Sequence, residues 1–595
     1  MKDWSELSDQ TRAVIAAALA LVVILGWGLF YKPPPPTSLQ QSQAAAQSAG
    51  AAVAQPSSPQ IAAAPPSGRA PAASVAAIST NAEQTVTIDS DLYHVVLSNR
   101  GAVARSWQLT KYTDEHDPPR TLDLIQSDAS QMAGGWPFSL QMGDPQVESA
   151  ANQGLYVVTQ SGAALSGTTL TAPVEVEFRW SDGQLEVSKR WKFDQSYTVE
   201  LETSVRRNGQ PVAHRVAWRG GFGDVTAYRA PIQTLAFSGS AGNMTTLAIK
   251  KLGASGQPTV PADQPGAFDA VGIQDLYFAA AFLPPASPAG QAVPADLTLS
   301  AWQLIRNVQA DGKTTQEILP EVAAGLTTTG PQDFRVFVGP KDLDTLKAVQ
   351  PPLNGLVQFG WFGFIAEPLF YSLRWLHHYV PNYGWAIVLM TLAINMVLYP
   401  LKVKSWRSMQ RMQKVAPEIR QIQDRYKKYG MRDPRKQEMN KEVMAVYSRE
   451  GINPMGSCLP TVIQMPIWFG LYRMLTVTME LRHAPWIGWI HDLSGRDPYY
   501  VLPVVMAVLM YAVTKMTPQT ITDPSQQRMM ALMPVMFGGM FIVFPVSSGL
   551  VLYILTSNFV AMVQQWHLNR TSPLKPPKAK KRQRAALGGD AVPSA

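Results

Sequence analysis

The side chains best placed to do chemistry in this sequence are hydrogen-bonding groups inside long apolar runs of the C-terminal part. Thr391 and Asn395 are four residues apart, so they share one face of a helix. Later runs add five candidates: Thr461, Gln464, Trp468, Tyr553 and Ser557. Polar groups are costly in lipid, which makes each a candidate functional residue. They could form hydrogen bonds between helices or line a wet cavity, and the sequence leaves both open.

The sequence carries none of the motifs of the common nucleotide-binding and metal-dependent enzymes. It contains no G-x-x-x-x-G-K-[ST] loop, no G-x-G-x-x-G turn and no H-E-x-x-H helix, and its eight histidines are scattered. A single cysteine, Cys458, excludes an intramolecular disulfide. We therefore expect neither an enzyme nor a bound metal or cofactor.

Six apolar segments have about the length needed to cross a bilayer. The first, residues 13–30, has 18 uncharged residues, about 27 Å as a helix. A cleaved signal peptide is the alternative, but its apolar region would have about 7 to 15 residues. The other five are residues 383–401, 459–478, 499–516, 529–546 and 549–566. Arg473 lies within the third segment, where we expect its long side chain to reach the outer interface.

The distribution of Lys and Arg predicts the orientation of these segments. Residues 402–450 hold 14 basic and 6 acidic residues, and residues 567–595 hold 7 and 1. Basic residues concentrate in cytoplasmic loops. An even number of spans then places both termini, residues 1–12 and 567–595, in the cytoplasm of a bacterium, and residues 31–347 in the periplasm. The predicted location is the inner membrane, crossed several times.

The predicted periplasmic region has two parts. Residues 31–81 are almost entirely Pro, Ala, Ser, Gln and Gly, a composition typical of a flexible linker. Residues 82–347 contain short runs such as VEVEFRW and LEVSKRWKF that alternate apolar and polar residues, which predicts an all-β sandwich. An aromatic-rich stretch, residues 355–380, is typical of an amphipathic helix in the outer interface.

The basic segment 402–452 is punctuated like two helices. Pro417 suits a first helical position, Gly430 and Gly451 suit helix ends, and apolar residues recur every three or four positions in each half. We therefore predict a cytoplasmic helical hairpin whose key positions are Pro417, Ile419, Tyr426, Met439 and Val443. A solvated loop that serves only to fix the topology is the alternative.

The C-terminal tail is strongly basic. Residues 575–584, KPPKAKKRQR, would be attracted to phosphate groups of anionic lipids or of ribosomal RNA. A topology signal without any ligand explains the composition equally well.

Several segments of the C-terminal part resemble the YidC/Oxa/Alb family of membrane-protein insertases, in its Gram-negative form with a large periplasmic domain. The segments that carry the resemblance are NPMGSCLPTVIQMPIWFGLY (453–472), ELRHAPWIGWIHDLSGRDPYYVLP (480–503), KMTPQTITDPSQQRMMALMPVMF (515–537) and SGLVLYILTSNFV (548–560). Together with residues 383–452 they cover the whole predicted membrane part.

The resemblance implies a polytopic α-helical membrane protein with a five-helix core and a periplasmic β-super-sandwich. The core would enclose a hydrophilic groove, open to the cytoplasm and to lipid, that inserts and helps fold inner-membrane proteins without nucleotide hydrolysis. Implied partners are nascent membrane proteins, the Sec translocon and the ribosome. The β-domain would be similar to sugar-binding folds, with no catalytic site.

This sequence departs from the family pattern at two positions. Asn395 stands where the family carries a groove arginine, four residues after Thr391. Asn can hydrate a cavity but cannot attract an acidic client as a charge does. Ile554 follows Tyr553, where some relatives have a second tyrosine.

Two other classes of function are considered beside the insertase. A secondary transporter or channel would favour inverted repeats and broken helices around a solute site. A membrane-anchored protein that binds periplasmic glycans would use the β-domain and need the helices only as anchors.

Overall fold

The computed structural model describes residues 76–571 apart from 117, 161, 166–168, 227–231, 239–242, 246–261, 286–296, 311–312, 327–329, 431–432, 453–458, 518–523 and 545. The predicted anchor (13–30), nearly all of the linker (31–81) and the basic tail (575–584) therefore lie outside the described residues. What is described is a β-rich region, here called the β-domain, followed by a helical part.

Among the described residues, twenty-one strands form three sheets in the β-domain. The first has the order β4-β3-β2-β1-β8, the second β15-β14-β17-β18-β21-β11-β10-β9-β6-β7 with β12 beside β11, and the third β16-β19-β20-β13-β5. The strands are β1 (Thr85–Asp89), β2 (Tyr93–Ser98), β3 (Val103–Thr113), β4 (Thr121–Asp123), β5 (Ser139–Met142), β6 (Val157–Gln160), β7 (Ala163–Ala164), β8 (Thr169–Thr171), β9 (Val174–Ser181), β10 (Leu185–Phe193), β11 (Thr198–Arg207), β12 (Gln210–Pro211), β13 (His214–Trp218), β14 (Gln233–Ser238), β15 (Asn243–Thr245), β16 (Ala262–Phe268), β17 (Ala270–Gln274), β18 (Phe278–Leu283), β19 (Leu297–Ala310), β20 (Lys313–Leu326) and β21 (Gln332–Pro340).

The alternating runs of the sequence become strands with one buried face, as predicted. Along β10, every second residue from Leu185 to Phe193 is buried, four of the five being apolar and the other Lys189. Strand β10 pairs antiparallel with β9 and β11 on its two sides. The buried faces meet in an aromatic core around Phe138, whose ring lies edge-on to Trp191 at 4.6 Å.

A fully buried lysine lies within this core. The Lys189 Nζ donates to the carbonyls of Gly101, Ala102 and Phe138, at 2.7, 3.1 and 2.7 Å. All three acceptor residues have positive φ angles. Burial lowers the pKa of Lys189 to about 7.

Ten helices are described, two of them short inserts between strands. They are α1 (Ser127–Met132), α2 (Pro145–Gln153), α3 (Leu343–Ala348), α4 (Gly363–Tyr379), α5 (Tyr383–Arg425), α6 (Arg435–Arg449), α7 (Leu459–Val477), α8 (Val501–Met516), α9 (Pro524–Val543) and α10 (Ser548–Thr571). Among the described residues, only α5 is long and apolar enough to pass as a membrane span on length and composition, while α8 and Arg528–Val543 are shorter apolar helices.

The prediction of a helix start at Pro417 is wrong. Helix α5 runs without a break through the predicted span 383–401 and into the predicted hairpin, with Pro400 and Pro417 inside it. Proline removes one backbone hydrogen bond. The buried positions Met412, Val415 and Ile419 nevertheless continue on one face through Pro417, so packing on that face holds the helix together.

Helix α4 has one buried and one exposed aromatic face. Ala366, Phe370 and Leu373 are buried, whereas Phe364 and Trp375 are exposed. This two-faced pattern is typical of a helix that lies along an apolar boundary.

Candidate functional site

Thr391 and Asn395 lie one turn apart on the face of α5 that meets α10. The Thr391 hydroxyl is buried and donates to the Ile387 carbonyl at 2.6 Å. Asn395, 8% exposed, donates from Nδ2 to the Thr391 carbonyl at 2.8 Å. Polar side chains inside apolar surroundings are thus satisfied first by the carbonyls of their own helix.

A row of polar groups continues from Asn395 between α5 and α10. The Asn395 Nδ2 lies 3.5 Å from the Ser557 Oγ, and the Gln564 Nε2 donates to the Asn395 carbonyl at 3.3 Å. The Lys402 Nζ donates to the Gln564 Oε1 at 3.0 Å. We call Asn395, Ser557, Gln564 and Lys402 the polar row.

Sequence reasoning missed two members of the polar row. Lys402 was assigned to the cytoplasmic loop, and Gln564 was not singled out. Lys402 follows Asn395 by seven residues and Gln564 follows Ser557 by seven, which is two helical turns and the same face. That spacing is the signal that could have identified them.

A second contact joins α7 to α10. The Tyr553 hydroxyl lies within reach of the Gln464 side chain. Tyr553 is buried and Gln464 half-buried. Because Tyr553 precedes Ser557 by one turn, this contact lies on the same face of α10 as the polar row.

The remaining predicted residues belong to α7. Trp468 is half-buried, and its ring stacks on Tyr472 with centroids 6.3 Å apart. The side chain of Thr461 lies outside the described part of the structure. Thr391, Asn395 and Tyr553 are buried, so among the predicted residues the polar surface open to another molecule is that of Ser557, Gln464 and Trp468.

Arg473 points away from the polar row. Its Nη2 donates to the Gln358 carbonyl at 2.6 Å, in the segment that connects the β-domain to α4. This position agrees with the expectation that the side chain reaches toward the outer end of α7.

Large apolar side chains are exposed on the helices that surround the polar row. They include Met396 and Val397 on α5, Val462 and Phe469 on α7, Val504 and Val508 on α8, Leu532 and Val535 on α9, and Phe559 and Val563 on α10. Soluble proteins rarely expose so much contiguous apolar surface. These faces therefore suit contact with lipid.

The predicted hairpin has a small core of its own. Ile419 packs with Ile422 of α5 and Val446 of α6, and the predicted positions Tyr426, Met439 and Val443 pack against this core. The Arg425–Glu442 pair at 2.6 Å and the Arg449–Glu418 pair at 2.7 Å bridge the two helices. A positive φ at Gly451 follows α6, at the predicted helix end.

Two family descriptions together match nearly all of the described chain. The YidC periplasmic domain matches residues 85–372, and the 60Kd inner membrane protein matches residues 375–575. The membrane protein insertase YidC of Burkholderia multivorans is 32% identical over 511 residues, which cover 85% of this chain and 87% of the relative. The chain belongs to the YidC family of membrane protein insertases.

Other YidC insertases support the same assignment. That of Syntrophus aciditrophicus is 31% identical over 581 residues, 94% of this chain and 99% of the relative. That of Cupriavidus taiwanensis is 40% identical over 317 residues, 53% of each chain. The YidC family is not an enzymatic family, and the transporter and glycan-binding alternatives are not favoured. All residues of the polar row lie in the 60Kd part of the match.

Proposed function

We propose that this insertase lowers the cost of moving polar segments of client membrane proteins across the bilayer by offering them the polar row as partners. The polar row supports this proposal, because it continues from Asn395, within the apolar part of α5, to Lys402 at the start of the basic segment. Client groups would exchange water for Asn395, Ser557 and Gln464 partway across the lipid, while the client's apolar helix moves between α7 and α9.

The energetics of this step require no nucleotide. A charged side chain at the centre of a membrane helix costs about 2.5 to 3.5 kcal/mol on insertion scales. Polar partners partway across remove part of that cost, and transfer of about 20 apolar residues into lipid supplies the driving force.

The position of the positive charge near the groove differs between this chain and the family pattern. Asn395 occupies the position of the family arginine, and the polar row carries a cation two turns away, at Lys402. An acidic client residue would therefore be attracted near Lys402, at the cytoplasmic end of the predicted span 383–401, instead of beside Asn395.

The proposed topology is that of a bacterial inner-membrane protein with six spans and with both termini in the cytoplasm. Helices α5, α7, α8, α9 and α10, with their exposed apolar faces, would be five of them, and residues 13–30 the sixth. The basic residues of 402–450 would keep the hairpin in the cytoplasm and the β-domain in the periplasm. Ribosomes, the Sec translocon and anionic lipids are the proposed partners beside nascent chains.

Substitution of Asn395 tests the proposal. Asn395→Leu should lower insertion of a client with a charged translocated tail about fivefold, since a lost hydrogen bond in a membrane is worth about 1 kcal/mol. Insertion is measured by protease protection of the newly made client, beside the abundance of the insertase. The matched control is Met396→Leu, at an exposed neighbouring position.

The outcomes separate the two interpretations of the polar residues. A loss of insertion larger than the loss of abundance supports contact with clients. Equal losses would mean that Asn395 serves only to hold α5 against α10.

Crosslinking gives a second test of the path. A photoreactive residue at position 464 should form adducts with nascent chains during translation. The same probe at the exposed position 508 of α8 is the control. Equal crosslinking from both positions, or none from 464, would contradict a path beside the polar row.

A further inference from the structure

A buried ion pair joins the β-domain to the connection between α7 and α8. The Arg482 Nη2 lies 2.5 Å from the Asp224 Oδ2, and both side chains are almost completely buried. The same nitrogen donates to the Thr113 carbonyl at 2.6 Å, at the end of β3. The β3–β4 loop and the α7–α8 connection are therefore held side by side.

Three potential metal ligands lie beside this pair. These residues are Glu115, His483 and Asp492. Each offers one ligating atom, and the three atoms lie within 4.8 Å of one another. Glu115 belongs to the β3–β4 loop, whereas His483 and Asp492 belong to the α7–α8 connection. The two segments are more than 360 residues apart in sequence, and only the packing of the two regions brings them together.

The two carboxylates of the cluster form no ion pair with a basic side chain. In the described part of the chain, no Lys, Arg or His pairs with Glu115 or Asp492, and Arg482 is bound to Asp224. The two carboxylates lie close enough to repel each other, and a bound cation would remove this repulsion.

The ligands are held in place by neighbouring groups. The Asp492 Oδ1 accepts from the His483 backbone N–H at 3.0 Å and from the Ser494 backbone N–H at 2.8 Å. The Thr113 hydroxyl lies 3.2 Å from the His483 Nδ1. Contacts of this kind orient metal ligands in known sites.

We propose that Glu115, His483 and Asp492 bind a divalent transition-metal ion, tested here as Zn²⁺, which fastens the β-domain to the α7–α8 connection. One imidazole and two carboxylates are a donor set that Zn²⁺ accepts, with water in the remaining position. Ligands of a tetrahedral Zn²⁺ lie about 3.3 Å apart. Side-chain movements of about 1 Å would close the cluster around the ion. In the proposed topology this corner faces the periplasm and exchanges ions with it.

Direct titration tests the site. The full chain, purified in detergent without a histidine tag and stripped with EDTA, should bind one Zn²⁺ by isothermal titration calorimetry. Glu115→Gln and His483→Gln should each weaken binding at least tenfold. The matched control His491→Gln, at an exposed position of the same connection, should bind as the wild type does.

Hydrogen exchange supplies a readout that does not depend on affinity. Zn²⁺ should slow exchange of residues 481–497 in the wild type and in His491→Gln, but not in Glu115→Gln. Asp492→Asn is avoided, because Asp492 also holds the connection together. Binding that persists in both Glu115→Gln and His483→Gln, absence of binding, or a preference for Ca²⁺ over Zn²⁺ would overturn the proposal.

Discussion

Glu480 is a half-buried carboxylate just after the C-terminal end of α7. It belongs to a 3₁₀ turn, Met479–Leu481, directly after the helix, and its Oε1 has no hydrogen-bond partner. Burial raises the pKa of Glu480 to about 7, with Asp342 and Asp344 adding to the increase and Arg374 opposing it. The folded protein therefore favours the protonated acid over the carboxylate.

This raised pKa predicts a pH dependence of stability. Between the unfolded pKa of about 4.5 and the folded value of about 7, the folded state binds more protons, so stability falls as the pH rises. The full shift corresponds to about 3 kcal/mol. Glu480→Gln should therefore raise the melting temperature at pH 8 and have little effect at pH 4.5, measured by thermal unfolding in detergent.

Glu367→Gln serves as the control, because that side chain is exposed on α4. The same pH-dependent difference in both variants would contradict a special role for Glu480.

At the residue scale, the polar candidates could be found in the sequence because they interrupt apolar runs. Asn395, Ser557, Gln464 and Tyr553 stand out by this rule, and the structure places them on neighbouring helix faces. Their degree of burial could not be read in the same way. Thr391 and Tyr553 are buried because α5, α7 and α10 pack closely at those positions.

At the scale of elements, the hairpin depends on a few apolar contacts. Ile419 on α5 and Val446 on α6 are buried in its core, where a charge would find no partner. Ile419→Asp should cost several kcal/mol of hairpin stability and speed hydrogen exchange of residues 435–449, with residues 383–400 unchanged.

Gln421→Asp adds the same charge at an exposed position of α5 and should leave exchange in α6 unchanged. Faster exchange throughout α5 in Ile419→Asp would show that the hairpin and the apolar half of the helix unfold as one unit.

Local signals predicted one helix end and missed another. Gly451 follows the end of α6 with a positive φ, as its residue type indicates, whereas α5 already ends at Arg425, five residues before Gly430. The prediction at Pro417 is wrong because proline is common at the start of a helix but is also found inside helices. Packing of Val415 and Ile419 decides between them, and packing is not a local signal.

At the scale of the molecule, the Arg482–Asp224 pair fastens the β-domain to the helical part. Removing one partner of a buried pair costs about 3 to 5 kcal/mol, because the other charge stays buried alone. Arg482→Met should therefore lower the melting temperature and speed exchange at residues 110–113.

The Arg374–Asp344 pair at 2.6 Å is partly exposed and provides the comparison. Exposed pairs contribute about 0 to 1 kcal/mol, so Arg374→Met should change stability little. Equal effects of the two substitutions would contradict the dominant role of the buried pair.

Contacts between residues this far apart in the chain could not be predicted from the sequence. Nothing in the sequence marks Arg482 as paired, because its partner Asp224 is 258 residues away. Strand alternation likewise predicts the strands of the β-domain but not that β11 pairs with β21. Both depend on contacts between residues far apart in the chain.

The unbroken length of α5 sets a distance for anything delivered to this insertase. Its 43 residues extend about 64 Å, of which about 30 Å suffice to cross the hydrocarbon. In the proposed topology, with α5 along the bilayer normal, the tip of the hairpin stands about 35 Å from the lipid, a gap that about ten residues of extended polypeptide would bridge. A client handed over at the tip must therefore expose a hydrophilic leader of about that length before its first apolar residue reaches the bilayer.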